Sequence, residues 1–230
     1  MSMVRILFVF LMSFVSGFLV QAQDINSAYN GDTTKLINFA ELSLDINNPI
    51  YSFGNRLDKT LYGLSVSYLR QRNVTRPDCF GVQFSYAHIG SITQNFFDFE
   101  DRTGTNLMSL RFLYRFYPDF YFWRIEPFIE TSFGPQLVYT VTTTTSFIDD
   151  SASLNFEESD MGISYGVGLG FSTYISGQVF LLTKFSFNGG SSLTYFMPGD
   201  YIQGLPFENF YAETSSINYL NLQLGLSVSF

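Results

Sequence analysis

The stretch YLNLQLGLSVSF, residues 219–230, alternates without a break. Leu220, Leu222, Leu224, Leu226, Val228 and Phe230 take one parity; Asn221, Gln223, Gly225, Ser227 and Ser229 take the other. Side chains of a strand point alternately to its two faces, so one face here is wholly apolar and the other small and polar. The bulky residues sit on the apolar face. A soluble barrel would turn such residues inward and its serines and glycines outward. The opposite arrangement, large apolar side chains facing lipid around a small polar lumen, is that of a membrane-spanning barrel.

Seven more segments carry the same alternation. They are 36–46, 61–69, 79–89, 106–117, 124–141, 161–175 and 178–189. In 79–89, Phe80, Val82, Phe84 and Tyr86 oppose Gly81, Gln83 and Ser85; in 161–175, Ile163, Tyr165, Val167, Leu169 and Phe171 oppose Gly162, Ser164, Gly166, Gly168 and Gly170. The alternation of those glycines with apolar residues makes them lumen-facing strand residues, not a phosphate-binding loop. A tilted membrane strand needs roughly 9–11 residues, whereas soluble sheets average strands of about 5–6. The eight segments have the membrane length. The expected fold class is therefore all-β, an eight-stranded antiparallel up-and-down transmembrane β-barrel occupying residues 36–230.

The connections support an even strand count. Those at 47–60, 90–105, 142–160 and 190–216 are long; those at 70–78, 118–123 and 176–177 are short. Membrane barrels have short turns on the periplasmic side and long loops outside. Eight strands then leave both termini on the short-turn side, where an exported chain arrives. Acidic runs (Asp98, Glu100 and Asp101; Asp149 and Asp150; Glu157, Glu158 and Asp160) fall in the long connections, and Arg70, Arg72 and Arg76 lie in or beside a short one. Tyr117, Phe120, Tyr121, Phe122 and Trp123 cluster at another short turn and read as a periplasmic aromatic girdle.

The beginning of the chain explains how it would reach that site. Residues 1–22 have a basic start at Arg5, an apolar run from Ile6 to Val20 and the small-residue pattern Val20-Gln21-Ala22. This reads as a signal peptide cleaved before Gln23. The run is shorter than the roughly 20 residues a spanning helix requires. Residues 23–35 are polar and read as a flexible lead-in.

Composition agrees. Of 230 residues, 19% are aromatic and only 14% charged, against about 25% charged in a typical soluble chain. Net charge is −8, which argues against nucleic acid as a partner. The single cysteine, Cys79, allows no internal disulfide, and one histidine with one cysteine offers no metal-ligand spacing. No cofactor is expected.

The tail at 219–230, with its terminal Phe230, resembles the C-terminal β-signal of outer-membrane barrels. The segment Ile125-Glu126-Pro127-Phe128-Ile129-Glu130 with Phe133-Gly134, followed by SYGVGLGFS at 164–172, resembles strands five and six of the OmpA-like eight-stranded family. The resemblance spans about residues 36–230 and includes no peptidoglycan-binding domain. It implies a bacterial outer-membrane address, contact with outer-membrane lipid, and recognition of Leu222, Leu224, Leu226, Val228 and Phe230 by the barrel-assembly machinery.

The lumen face carries Glu41, Asp45, Glu126 and Glu130 against Arg111, Arg115 and Lys184. A turn centred on 118–123 sets Arg115 opposite Glu126 and Arg111 opposite Glu130. Cross-strand neighbours share a face, so both pairs point inward and should hold each other by charge-assisted hydrogen bonds. The expectation is a plugged lumen rather than an open pore.

An enzyme reading fails on spacing. His88 falls on the outer face near the long-loop end of the third strand, with Ser91 close in sequence. A lipid deacylase on a similar barrel needs Ser, His and an acid within hydrogen-bond reach. The His-x-Ser pairing of that family is absent, because the chain reads His88-Ile89-Gly90-Ser91. The expected function is a non-enzymatic envelope protein, structural or surface-binding through its long loops; a small solute or ion channel is the alternative and a lipid A-modifying enzyme the third. The 190–216 connection, with Tyr195, Phe196, Met197, Tyr201, Phe207, Phe210 and Tyr211, would either bind a partner or extend the sheet.

Overall fold

Alternating residues build ten strands and one short helix in the computed structural model, which describes residues 37–73, 76–95, 97–118, 125–148, 151–198 and 210–230. In chain order they are β1 (Asn38–Pro49), α1 (Tyr51–Leu57), β2 (Leu61–Asn73), β3 (Arg76–Asn95), β4 (Phe99–Phe116), β5 (Ile125–Ser146), β6 (Ala152–Ser176), β7 (Val179–Gly190), β8 (Ser192–Pro198), β9 (Phe210–Ser216) and β10 (Tyr219–Ser229). The expected signal peptide and lead-in lie outside the described residues, as do Phe120, Tyr121, Phe122 and Trp123 of the expected girdle.

Eight strands close a barrel in the order β1-β10-β7-β6-β5-β4-β3-β2, every pair antiparallel. The closing seam joins the last strand to the first: Leu222 stands opposite Ile46 and Val228 opposite Ala40. Phe230 and Asn38 exchange backbone hydrogen bonds at 2.9 Å. Closure leaves no sheet edge, so the backbone polar groups along the belt can pair within the sheet.

The faces divide as the alternation demands. Phe112, Phe133, Leu169, Phe185 and Leu226 are among the many exposed apolar side chains outside, while Ser43, Ser67, Gln83, Ser109 and Asn221 are buried inside. Between β6 and β7 the chain reverses at Gly177-Gln178, and Gly177 takes the left-handed φ of 56° that favours glycine.

The wall is uneven. Strands β3 to β6 contain 20, 18, 22 and 25 residues; β1, β2, β7 and β10 contain 12, 13, 12 and 11. Much of the connections expected at 90–105 and 142–160 is thus strand, a correction with a local cause. The threonines at 140 and 142–145 are β-branched and favour strand. Thr103 pairs its hydroxyl with Thr142 at 2.8 Å, and Thr105 with Thr140 at 2.9 Å. Cross-strand pairs of this kind hold hairpins together beyond the apolar belt.

The low side of the wall carries the lid. The helix α1 follows β1, and the separate hairpin of β8 and β9 is inserted between β7 and β10. Both pack over the barrel mouth, α1 against β1 and β9, and β8 against the tall strands. Phe53 and Leu57 of α1, Leu193, Tyr195 and Met197 of β8, and Ile217 form one buried apolar cluster with Leu61, Ile89, Leu107, Val138 and Tyr219 from the wall. The 190–216 connection therefore neither extends the barrel sheet nor presents all its aromatics outward: Tyr195 and Met197 are core.

Candidate functional site: a filled lumen and its two closures

The charged layer lies near the short-turn end. Arg115 on β4 is fully buried and sits opposite Glu130 on β5. Its Nε donates to Glu130 Oε2 at 2.8 Å. Its terminal nitrogens reach across the lumen to Glu41 on β1, Nη1 to Oε1 at 2.5 Å and Nη2 to Oε2 at 2.9 Å. Lys184 on β7 donates to Glu130 Oε1. Two cations and two carboxylates thus bridge four strands, each charge meeting an opposite one in a medium that screens poorly.

All four residues face the lumen as their parity demands, but their pairing differs from the expected one. The register sets Arg115 against Glu130, not Glu126, because β4 leaves the sheet after Phe116, which pairs with Ile129, while Ile125 to Phe128 pair only with β6. The displacement is four residues. An even shift preserves which face each side chain occupies and changes every partner. Arg111 consequently does not meet Glu130. It donates from Nη2 to Ser85 Oγ at 3.1 Å and from Nη1 to Asn188 Oδ1. Glu126 is half-buried and forms no ion pair with a described residue.

A second polar layer lies above the ion pairs. Asp45 Oδ1 accepts from Gln223 Nε2 at 2.6 Å and from Ser65 Oγ at 3.1 Å. Asn188, Ser186, Asn221 and Asn47 form a chain of hydrogen bonds of 3.0, 3.3 and 2.8 Å. The alternation places these amides and hydroxyls on the lumen face, but not their contacts, because Ser, Asn and Gln mark any lumen face without saying which will touch. Among the described residues the layer includes gaps with room for about one water each, one beside Arg111, Lys184 and Asn188 and one beside Asp45, Asn47 and Tyr219.

Aromatic side chains close the short-turn end. The Phe128 ring centroid lies 4.2 Å from the guanidinium carbon of Arg115. Tyr117 packs 5.7 Å from Phe128 and 6.3 Å from Phe39, between ring centroids, and accepts a 3.2 Å hydrogen bond from Arg115 through its hydroxyl. Leu69, Cys79 and Leu113 complete the floor. Tyr117 is thus a floor residue and not part of an outer girdle. Its parity on the chain follows inward-facing Arg115, with outward-facing Phe116 between them.

The apolar lid closes the other end. Phe53 and Tyr195 meet edge to face at 5.4 Å. Tyr195 shares a 2.9 Å hydrogen bond with Ser215, and burial raises its hydroxyl above the usual tyrosine pKa, keeping that proton in place. Thr105 Oγ1 donates to the Phe196 carbonyl at 2.7 Å, and Asp160 accepts from the Thr194 N–H at 2.7 Å. Arg56 and Glu213 clasp α1 to β9 at 3.0 Å.

Two further sets of predicted residues are on the outside. Leu222, Leu224, Leu226 and Val228 alternate with the lumen-facing residues of β10, and Leu224 and Leu226 are exposed. His88 is on the outer face as expected; its Nδ1 lies 3.0 Å from Asn106 Oδ1, which also accepts from the Tyr86 hydroxyl at 2.6 Å. A bulge at Ile89 shifts the register from His88↔Asn106 to Gly90↔Thr105. The extra residue leaves both Ile89 and Gly90 facing inward and brings Ser91 to the same outer face as His88.

No family model matches the sequence, and no match is found among curated proteins. Solved structures do match. A major outer membrane protein from Thermus thermophilus superposes with a TM-score of 0.52 at 11% identity, covering 85% of this chain and 100% of that one. Ail, the attachment invasion locus protein of Yersinia pestis, in complex with the heparin analogue sucrose octasulfate, gives 0.50 at 13% identity, covering 86% and 100%. The fold is that of the eight-stranded outer-membrane β-barrels. The resemblance to OmpA-like barrels holds at this level of architecture. An outer-membrane barrel needs a lipid-facing belt, and the exposed apolar face of this chain supplies it.

Proposed function

We propose that this chain is a non-enzymatic outer-membrane barrel with a closed lumen, whose long-loop end faces outward and is its working surface. The observation that carries the reading is the double closure: buried ion pairs above an aromatic floor at one end, and an apolar lid at the other. A channel would need a continuous wet path, and both ends oppose one.

The outer surface has two parts. One is the lid of α1, β8 and β9. The other is the pair of hairpin tips on the tall wall, where Phe97 and Ile148 are 99% and 78% exposed and the Phe147 N–H donates to the Asp98 carbonyl at 2.8 Å. Exposed apolar tips on a rigid scaffold fit a surface that engages a partner. Ail was crystallised with the heparin analogue sucrose octasulfate; the net charge of −8 here disfavours long-range attraction of a soluble polyanion of that kind.

A second reading, hydrolysis of a lipid acyl chain, gains one observation: the bulge sets Ser91 on the outer face beside His88. Against it, the partner of His88 Nδ1 is the amide oxygen of Asn106 rather than a carboxylate, so no negative charge would stabilise an imidazolium. Mass spectrometry of lipid A from cells making the protein separates the readings: a lost acyl chain that His88→Ala restores would establish the enzyme.

Cysteine labelling tests the orientation. Cys79 is buried and gives a silent background. A thiol introduced by Phe97→Cys should react with a membrane-impermeant reagent on intact cells, and one introduced by Gly177→Cys should not. The reverse pattern would invert the topology.

A further inference from the structure

The outer face of β3 and β4 changes chemistry where the apolar belt ends. Phe80, Val82 and Phe84 on β3, and Tyr114, Phe112 and Leu110 on β4, are exposed and apolar or aromatic. Toward the long-loop end come Tyr86, His88 and Asn106, joined through the Asn106 amide oxygen. An amide oxygen only accepts, so His88 presents its proton at Nδ1. Nε2 of His88 then makes no hydrogen bond to a described residue.

The bulge at Ile89 adds Ser91 to this face, opposite Gly104. A Cβ on Gly104 would lie 3.2 Å from His88 Cε1 and 3.6 Å from Ser91 Cβ. Glycine therefore keeps a notch open between the two side chains. Two residues along β4, Arg102 is exposed on the same face, between Thr93 on β3 and Thr143 on β5. Arg102 has no carboxylate within ion-pair distance among the described residues. Glu100, two residues farther on, is the next acid on that face of β4.

We propose that this notch seats the phosphorylated sugar headgroup of a glycolipid in the leaflet at the long-loop end. The patch is continuous with the lipid-facing belt, so acyl chains can run down over Phe84 and Leu110 while the headgroup stays at the level of the notch. The Arg102 guanidinium matches a phosphate by forked hydrogen bonding. Ser91, Thr93 and His88 Nε2 offer donors and acceptors to sugar hydroxyls. The proposal rests on the outward placement of the long-loop end, which the cysteine labelling decides separately.

Native mass spectrometry of the detergent-purified protein tests it. The probes are bisphosphorylated lipid A, the same lipid dephosphorylated, phosphatidylglycerol, and inorganic phosphate as competitor. The wild-type protein should retain the bisphosphorylated lipid in preference to both other lipids, and inorganic phosphate should not displace it. Arg102→Gln should weaken retention about fivefold, the order expected for one basic side chain at an anionic surface, while Arg70→Gln at the opposite rim should leave it unchanged. Equal retention of the phosphorylated and dephosphorylated lipids would overturn the proposal, and that comparison needs no variant. Displacement by inorganic phosphate, or equal losses in both variants, would also overturn it.

Discussion

Arg115 on β4 grips Glu41 on β1 with both terminal nitrogens, at 2.5 and 2.9 Å, although these strands are not neighbours in the ring. A contact within one hairpin fixes only local register. A contact across the lumen ties the first strand to the middle of the wall and holds the barrel at one diameter. Arg115→Met leaves Glu41 without its partner while Glu130 keeps Lys184. The loss should be roughly 3–5 kcal/mol, the usual consequence of stranding a buried charge. Adding Glu41→Leu should recover most of it. Unfolding followed by heat modifiability on gels measures both; a double variant as unstable as the single would contradict the pairing.

Phe128 lies over Gly170, and a Cβ built on that glycine would enter the phenyl ring. Gly170→Leu should therefore destabilise the barrel by about 1–3 kcal/mol through overpacking. In a Phe128→Ala background the same substitution should be less harmful, because the ring it strikes is gone and only the close approach to the Thr183 carbonyl oxygen, at 2.7 Å from that Cβ, remains. Additive effects in this double-mutant cycle would show that the two residues do not touch.

The lid has a core distinct from the charged layer. Tyr195→Ala or Phe53→Ala removes one ring of the edge-to-face pair and should cost the lid about 3–5 kcal/mol. Proteolysis within 192–216 should accelerate, while the barrel keeps its heat-modifiable band. Simultaneous loss of lid and barrel would mean that the two are one cooperative unit.

The closing strand should act in assembly as well as in closure. Phe230 exchanges backbone hydrogen bonds with Asn38 and approaches the Tyr68 ring at 6.5 Å. Removing Phe230 should lower the fraction of chain recovered folded in the membrane after pulse labelling, and Phe230→Tyr should largely preserve it. An undiminished yield after deletion would separate the seam from any assembly signal.

The eight barrel strands, their ring order and their faces were legible because a period of two states them directly; Leu222 to Phe230 and Phe80 to Tyr86 leave little choice. Partners were less legible. Arg115 could be assigned to the lumen from parity alone, but its meeting with Glu130 depends on how the chain turns between Phe116 and Ile129, and turn composition does not fix that offset. The bulge at Ile89 is hidden for the same reason: an inserted residue breaks parity locally, and strict alternation would set Ser91 and His88 on opposite faces. The lid was hidden because Tyr195 and Met197 alternate with Phe196 in a short segment that reads equally well as an exposed loop. Its burial comes from α1, more than a hundred residues earlier in the chain.

Planar-bilayer recording of the purified, folded protein decides whether the lumen is filled. The ion pairs of Glu41, Arg115, Glu130 and Lys184, closed by Phe128 below and the Phe53–Tyr195 lid above, predict a silent bilayer with no steady unitary steps. Steady, large conductance steps from protein that retains its heat-modifiable band would contradict it.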